Sequence, residues 1–483
     1  MAEPTTTPTR DARALALPAA GRGPRKFYFS RAAGRPGTHH DGQRSLERIL
    51  AFSVFAILLF FYVALPSLKL AGLPLRGLLS LGVLSFLLLT RPWIAATALR
   101  RYFPVIGLAA GLALLGVFVS AVNRTSLDII VNTLLEVHLQ LVILLIVAAM
   151  LAEICGARLC MWAIVAVICG SALFAVLQML EVGIAWDIRR LLGPFARDEL
   201  RPDMLDRRPT GLSYSPIQLS TQLCLAFAAF MAVRHAERMR TIARRSADPA
   251  VVVALLVLIA GSIAAATRSP ILGGVIFMVA YVMLHRQTWL AFAVLFGAAL
   301  IYFAWPLLSS FIASEAPRIL RTDDRSAAAR SVFAWYGTRL FVDNPVGYGF
   351  GFVPAELWAP YWPELYMMRG SRGTLENMLH NYVLSMINIY GIGIFLFAPL
   401  AIKLLIRAGP YAIFFIPYAV HILFHNAGPF YSDTIIWFVV AAMGASTAKV
   451  TSARAAQATT AALAMTSATR IRSANQIRGV RSA

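Results

Sequence analysis

Continuous apolar runs of about 20 residues recur along this chain, parted by short polar or basic connections. Each run can cross a bilayer core of roughly 30 Å as a helix. Strands of a membrane barrel would alternate apolar and polar residues over about 10 positions, and these runs do not. The pattern predicts an all-α polytopic transmembrane bundle of about 12 spans, at 48–66, 73–90, 103–121, 129–151, 159–180, 216–233, 250–266, 270–284, 288–308, 378–402, 410–425 and 433–447. An even count puts both termini on one side. The domain plan is a tail over 1–47, nine spans over 48–308 interrupted by a long connection at 181–215, a large loop at 309–377, three spans over 378–447 and a second tail over 448–483.

Composition supports the membrane reading: 59% of the 483 residues are hydrophobic and 14% charged, where soluble domains carry about a quarter charged. The net charge of +21 does not point to nucleic acid, because of where it lies. Residues 1–47 hold eight Lys/Arg against four Asp/Glu, and residues 448–483 hold six and no acid. Both tails are rich in Ala, Thr and Ser and read as disordered cytoplasmic flanks facing anionic lipid. No apolar stretch follows closely on the first basic residues, so the first tail is not read as a signal peptide. Cys155, Cys160, Cys169 and Cys224 lie in or beside apolar runs, form no zinc-ligand spacing and read as small buried hydrophobes.

Charge also orients the bundle. With the N-terminus inside, the short inner connections carry Arg91, Arg100 and Arg101, then Arg234 to Arg245, then Lys403 and Arg407, as the positive-inside rule requires. The two long connections fall outside. Residues 181–215 balance six Arg against six acids, and residues 309–377 balance seven against seven. Such a loop is either a solvated surface of ion pairs or a site for an anion, since guanidinium forks bind phosphate oxygens bidentately.

Four patterns gather at this outer face. In Arg207-Arg208-Pro209-Thr210-Gly211, followed by Pro216, a turn leads into a span, and Arg208 would lie near a helix N-terminus that favours anions. In Ala266-Thr267-Arg268-Ser269-Pro270, the connection is so short that Arg268 must sit at the membrane edge, as a functional cation or a snorkelling one. The large loop offers a short amphipathic surface helix over 327–341, containing Arg330, then the glycine-rich Asp343-Asn344-Pro345-Val346-Gly347-Tyr348-Gly349-Phe350-Gly351. Trp358, Tyr361, Trp362 and Tyr366 follow, as an interfacial belt or as faces for sugar rings. Last, Glu376 and His380 are four apart at the start of a span, which puts them on one helix face. A carboxylate beside an imidazole there holds or relays a proton, or is a satisfied polar pair. His380-Asn381 leads on to Gly391-Ile392-Gly393.

In this order, over roughly residues 200–400, the patterns resemble the bacterial O-antigen polymerase and O-antigen ligase superfamily of membrane glycosyltransferases. The chain has Ser213-Tyr214-Ser215-Pro216 where members often have Asn-Pro-Asn, and Pro270 after its Thr-Arg-Ser. The resemblance implies an enzyme of the bacterial inner membrane with its site on the periplasmic side. The donor it implies is a polyprenyl-diphosphate-linked glycan, and the acceptor is another carrier-linked repeat unit in a polymerase or lipid A–core in a ligase. Membrane lipids, a flippase and a chain-length regulator are further partners; nucleic acid is not. It implies that Arg208, Arg268 and Arg330 bind the diphosphate, with Arg207 an alternative to Arg208, and that His380 activates or orients the acceptor hydroxyl. Glu376 orients His380 or is itself the base. No cofactor and no metal are expected. A transporter of the lipid-linked glycan is the competing class, but its usual repeated halves are not evident here.

Overall fold

A computed structural model describes residues 38–70, 73–196, 208–240, 249–285, 309–310, 325–368, 379–431 and 433–446. Backbone contacts divide the chain into Met1–Ser45 and Leu46–Ala483. Of the first unit only the opening turns of one helix, from Thr38, are described. The bundle belongs to the second.

The described residues are mostly helical. The first four long elements are α1 (Thr38–Ala64), α2 (Leu75–Thr90), α3 (Pro92–Val122) and α4 (Leu127–Thr133), the last running through a π-helical turn into α5 (Gln140–Cys155). Then come α6 (Ala157–Met179), α7 (Gly183–Ala196), α8 (Pro216–Arg240), α9 (Pro249–Ala264) and α10 (Ser269–His285). In the second half lie α11 (Arg325–Asp343), α12 (Trp362–Met367), α13 (Tyr382–Tyr390), α14 (Ala398–Ala408), α15 (Pro410–Phe414), α16 (Ile416–Ile422) and α17 (Ile435–Ser446). A two-residue antiparallel ladder, Lys69–Leu70 with Leu73–Pro74, joins α1 to α2.

Six described helices are long and apolar enough to cross a membrane: Ser45–Ala64, Pro92–Val122, Leu127–Cys155, Ala157–Met179, Pro216–Arg238 and Tyr382–Ala408. Four shorter apolar helices lie where spans are expected, at Leu75–Thr90, Pro249–Ala264, Ser269–Leu284 and Ile435–Ser446. The expected span 410–425 is instead two short helices, each opened by a proline at its first turn, so the segment is broken at Phe415. The span expected at 288–308 and both tails lie largely or wholly outside the described residues. Apolar side chains such as Leu89, Leu114, Leu396 and Ile406 are exposed on the helices' outward faces. In water that surface would be costly, and lipid is the solvent that removes the cost.

Contacts sort the helix ends into two groups. At one end, Arg91 pairs with Glu47 (2.5 Å), Arg101 with Glu153, and Arg158 with Glu237 (2.6 Å). These are the ends with short basic connections. At the other end Arg208 bonds the 264–269 turn, Ser269 of that turn lies against His421 and His425, Phe430 bonds Tyr382, and the glycine-rich loop bonds Ser120 at the end of α3.

The large loop has a small core of its own. Its helix α11 covers and extends the amphipathic segment expected at 327–341, and buries Val332, Phe333, Tyr336 and Leu340 with Leu365 and Leu379. Of the four aromatics expected to form a belt or a sugar platform, Trp358 and Tyr361 pack against this core. Tyr336 donates to the Pro354 carbonyl (2.8 Å) and Tyr361 to Asp343 (2.7 Å). Only Trp362 and Tyr366 leave substantial ring surface exposed.

This small core is fastened to the bundle through the glycine motifs. Tyr348 and Gly349 donate backbone N–H groups to the carbonyls of Asn388 and Ile389 (2.8 and 2.9 Å), and Ile392 donates back to Pro345 (2.8 Å). Phe350 N–H reaches Ser120 Oγ on α3 (2.8 Å). Gly347, Gly349 and Gly391 all have positive φ. A Cβ on Gly349 would strike Ser120, and one on Gly391 would strike the Val346 carbonyl. The two glycine patterns are therefore two halves of one joint.

Candidate functional site

The site lies where the second group of helix ends converges. Helix α9 ends in a Schellman-type cap: Thr267 N–H returns to the Ser262 carbonyl (2.9 Å) and Ala266 N–H to the Ile263 carbonyl (2.9 Å). Ala266 stands at φ 50°, where glycine is usual. Arg208 Nη2 then donates to the carbonyls of Ala265 (2.9 Å) and Ala266 (3.1 Å). A cation at the negative end of a helix is favourable, and here it also joins two motifs distant in sequence. Arg208 thus reaches the C-terminus of α9 rather than the α8 N-terminus that the sequence suggests. Arg268, two residues beyond the cap, has an exposed side chain. Removing the Ala266 Cβ relieves roughly 1–2 kcal/mol of left-handed strain, against about 0.4–1 kcal/mol of entropy gained by the unfolded chain. Ala266→Gly is therefore expected to stabilise by between zero and about 1.6 kcal/mol, read as a small rise in Tm in detergent.

The 208–212 turn is held from below by α6. Gln178 Oε1 accepts from the N–H groups of Thr210 and Gly211, both at 2.9 Å. Gly211 has φ 60° and a Cβ there would strike the Ser171 carbonyl. Arg189 of α7, 2% exposed, donates to the carbonyls of Ser213 (2.9 Å) and Tyr214 (3.1 Å). Burial lowers its pKa to about 10. Ser215 then caps α8, accepting from Gln218 N–H (3.1 Å), with Pro216 in the first turn.

His380 is not on a helix. It has φ 48°, and the next residue, Asn381, is the N-cap of α13, accepting from Leu384 N–H (3.0 Å). The helix face expected to be shared with Glu376 is therefore absent at His380; Glu376 itself, like Arg207, lies outside the described residues. The His380 ring stands edge-on to Phe333 at 5.3 Å. Burial first, and the Arg330 cation second, push its imidazole below the ordinary 6.5. Arg330, three residues before Phe333 on α11, lies over the Phe424 ring at 5.9 Å.

Behind these residues is a cluster that the motifs do not mention. Ser269 Oγ lies 2.9 Å from His421 Nδ1 and 3.3 Å from His425 Nε2. His421 Nε2 lies 3.0 Å from Thr221 Oγ1. Both imidazoles are buried. Arg208, Arg330 and His380 are all within electrostatic reach of His425. Three of the four described motif residues thus act electrostatically on one imidazole, and Arg268 adjoins Ser269, which binds it. The sequence signal for the pair is two histidines four apart at the end of an apolar run, where ionisable groups are rare without a function. Arg189 has a weaker signal, one Arg among six in its loop.

Among the described residues, no group of three or more His, Cys, Asp or Glu could hold a metal ion. Cationic donors dominate the arrangement, with imidazole and hydroxyl groups behind them, and it suits an oxyanion ligand. No protein-family model and no curated protein matches the sequence.

Proposed function

We propose that the protein is a membrane glycosyltransferase that polymerises polyprenyl-diphosphate-linked repeat units of an exopolysaccharide or O-antigen at the periplasmic face of the bacterial inner membrane. The observation that carries this is the meeting of three distant motifs: Arg208 bonds the turn that bears Arg268, Ser269 of that turn lies against His425, and Arg330 lies over the adjacent Phe424. Their separation along the chain gives no local reason to meet. Diphosphate is a leaving group whose charge grows as the anomeric C–O bond breaks, and fixed cations stabilise that growing charge. Arg208, Arg268 and Arg330 hold the diphosphate, and Arg208 also fixes the turn that presents Arg268. His380, neutral near pH 7, orients the acceptor hydroxyl. The balanced outer connections agree with an anionic ligand on that side, and the basic inner ones with the orientation.

The test is transfer by the purified protein in detergent. Arg268→Ala and His380→Ala are each expected to lower transfer by about 100-fold. Tm in detergent is the folding control for both variants. Retained transfer in both folded variants would contradict the assignment. Longer glycan on the carrier marks a polymerase; glycan on lipid A–core marks a ligase.

The acid limb of the pH profile gives a separate expectation. His380 is held below 6.5 by burial and by Arg330, so inhibition by its protonation begins only below that pH. Replacing the cation in Arg330→Gln removes a repulsion on the imidazolium and raises the pKa. The limb should move up toward 6.5; a limb that stays or moves down would contradict the pairing.

A further inference from the structure

The hydrogen bonds around His421 assign the tautomers of both buried histidines. Thr221 Oγ1 donates to the Ile217 carbonyl (3.1 Å), so toward His421 Nε2 (3.0 Å) it acts as acceptor. His421 therefore carries its proton on Nε2 and leaves Nδ1 as acceptor. The Ser269 hydroxyl fills that acceptor at 2.9 Å. Having donated there, Ser269 Oγ accepts from His425 Nε2–H at 3.3 Å. His425 is thus the Nε2–H tautomer, and its Nδ1 carries a lone pair. That Nδ1 is buried and has no hydrogen-bond partner among the described residues, in a side chain only 3% exposed.

A buried acceptor left open is unusual, because buried polar groups are nearly always paired. The charged and titratable groups acting on His425 are His421, Arg330, His380 and Arg208. The arginines can only donate, and His421 already has both nitrogens engaged. His380 has no hydrogen-bonded chain fixing its tautomer among the described residues, and its ring packs on Phe333. A glycosyl transfer to a hydroxyl needs one acceptor for the proton that the hydroxyl loses. Within the chain of His421, Ser269 and His425, Nδ1 of His425 is the acceptor left without a donor.

We infer that His425 is a further catalytic residue, taking through Nδ1 the proton of the attacking sugar hydroxyl; the inference rests on the glycosyl-transfer reading above. As the hydroxyl oxygen bonds to the anomeric carbon, its proton moves to Nδ1. The bond from that carbon to the diphosphate oxygen breaks, and its electron pair leaves with the diphosphate. Ser269, His421 and Thr221 are positioning residues. Protonation at Nδ1 disturbs none of their bonds, since Nε2–H goes on donating to Ser269.

The experiment compares full-length wild type, His425→Asn and Thr221→Val in detergent, with a polyprenyl-diphosphate oligosaccharide as donor and a second carrier-linked unit as acceptor. An asparagine oxygen can stand near the Nδ1 position but is not basic. His425→Asn is expected to lower kcat by about 100-fold or more, with the donor KM within about threefold and donor binding by native mass spectrometry unchanged. Thr221→Val breaks the far end of the chain and should lower kcat by about fivefold to tenfold, again with donor binding intact; it stands alone as the test if the asparagine variant does not fold. A folded His425→Asn within threefold of wild-type kcat overturns the inference, as does loss of donor binding in parallel with kcat. If Thr221→Val stands alone, kcat within twofold of wild type overturns it. In those cases an active wild type leaves the glycosyl-transfer reading standing. Wild type that neither binds nor uses the donor removes both.

Discussion

Arg208→Ala is expected to lower glycan transfer by about two to three orders of magnitude, the range seen when one preorganised donor to a developing anion is lost. The effect should exceed that of Arg268→Ala, because Arg208 acts twice. Its charge lies within reach of His425, and its Nη2 ties the 208–212 turn to the last carbonyls of α9. Without that tie the left-handed Ala266 loses a partner on its own carbonyl, and the turn carrying Arg268 is held only by its cap. Arg208→Lys separates the two contributions. Lysine keeps a charge but has no planar fork on a short rigid reach, so transfer should stay below about a tenth of wild type while donor binding partly recovers. Full activity in Arg208→Lys would mean that charge alone matters and that the bridge to α9 is incidental. The measurement is kcat and donor KM in detergent, with Tm as the folding control.

Gly391→Ala is expected to be the most damaging change outside the site. Its φ of 61° costs a non-glycine residue roughly 1–2 kcal/mol. The Cβ would also run into the Val346 carbonyl, which is backbone and cannot rotate aside. Overpacking of that kind adds about 1–3 kcal/mol. The total, roughly 2–5 kcal/mol, falls on the joint that fastens the large loop. Arg330 rides on that loop, so transfer should be lost even where some protein folds. Gly393 is the control. The nearest atoms to a Cβ there are those of the Leu115 side chain, from 2.9 Å, and Leu115 can shift. Gly393→Ala should cost under about 1.5 kcal/mol and keep most activity. Limited proteolysis of residues 344–351 reads the joint directly: cleavage should appear in Gly391→Ala and not in Gly393→Ala.

Much of the bundle was legible because hydropathy and helix length are local properties. The expected segments 103–121 and 159–180 lie within or beside the observed Pro92–Val122 and Ala157–Met179. The surface helix expected at 327–341 is there as Arg325–Asp343. Helix α7 was not legible, because its apolar residues are interleaved with Arg189, Arg190 and Gly193, and so read as loop. The four-residue spacing of Glu376 and His380 misled for a related reason. It assumes a helix through both, whereas Asn381 caps a helix that begins after them.

The motif residues themselves could be picked out, but not their supports. Nothing local says that Gln178 holds the turn after Arg208, or that Ser269 bridges two histidines about 150 positions away. Those bonds are products of tertiary packing. The glycines of the two late motifs were visible as a pattern, but only their contact shows why each tolerates no side chain: they press on one another across a backbone joint.

The most direct measurement is mass spectrometry of the products formed by wild-type protein, purified in detergent, from a polyprenyl-diphosphate-linked repeat unit as both donor and acceptor. The expected products are carrier-linked glycans of two and more repeat units, with one polyprenyl diphosphate released for every unit added. Unchanged substrate, together with movement of the same lipid across liposomes that contain the protein, would contradict it and make the protein a transporter.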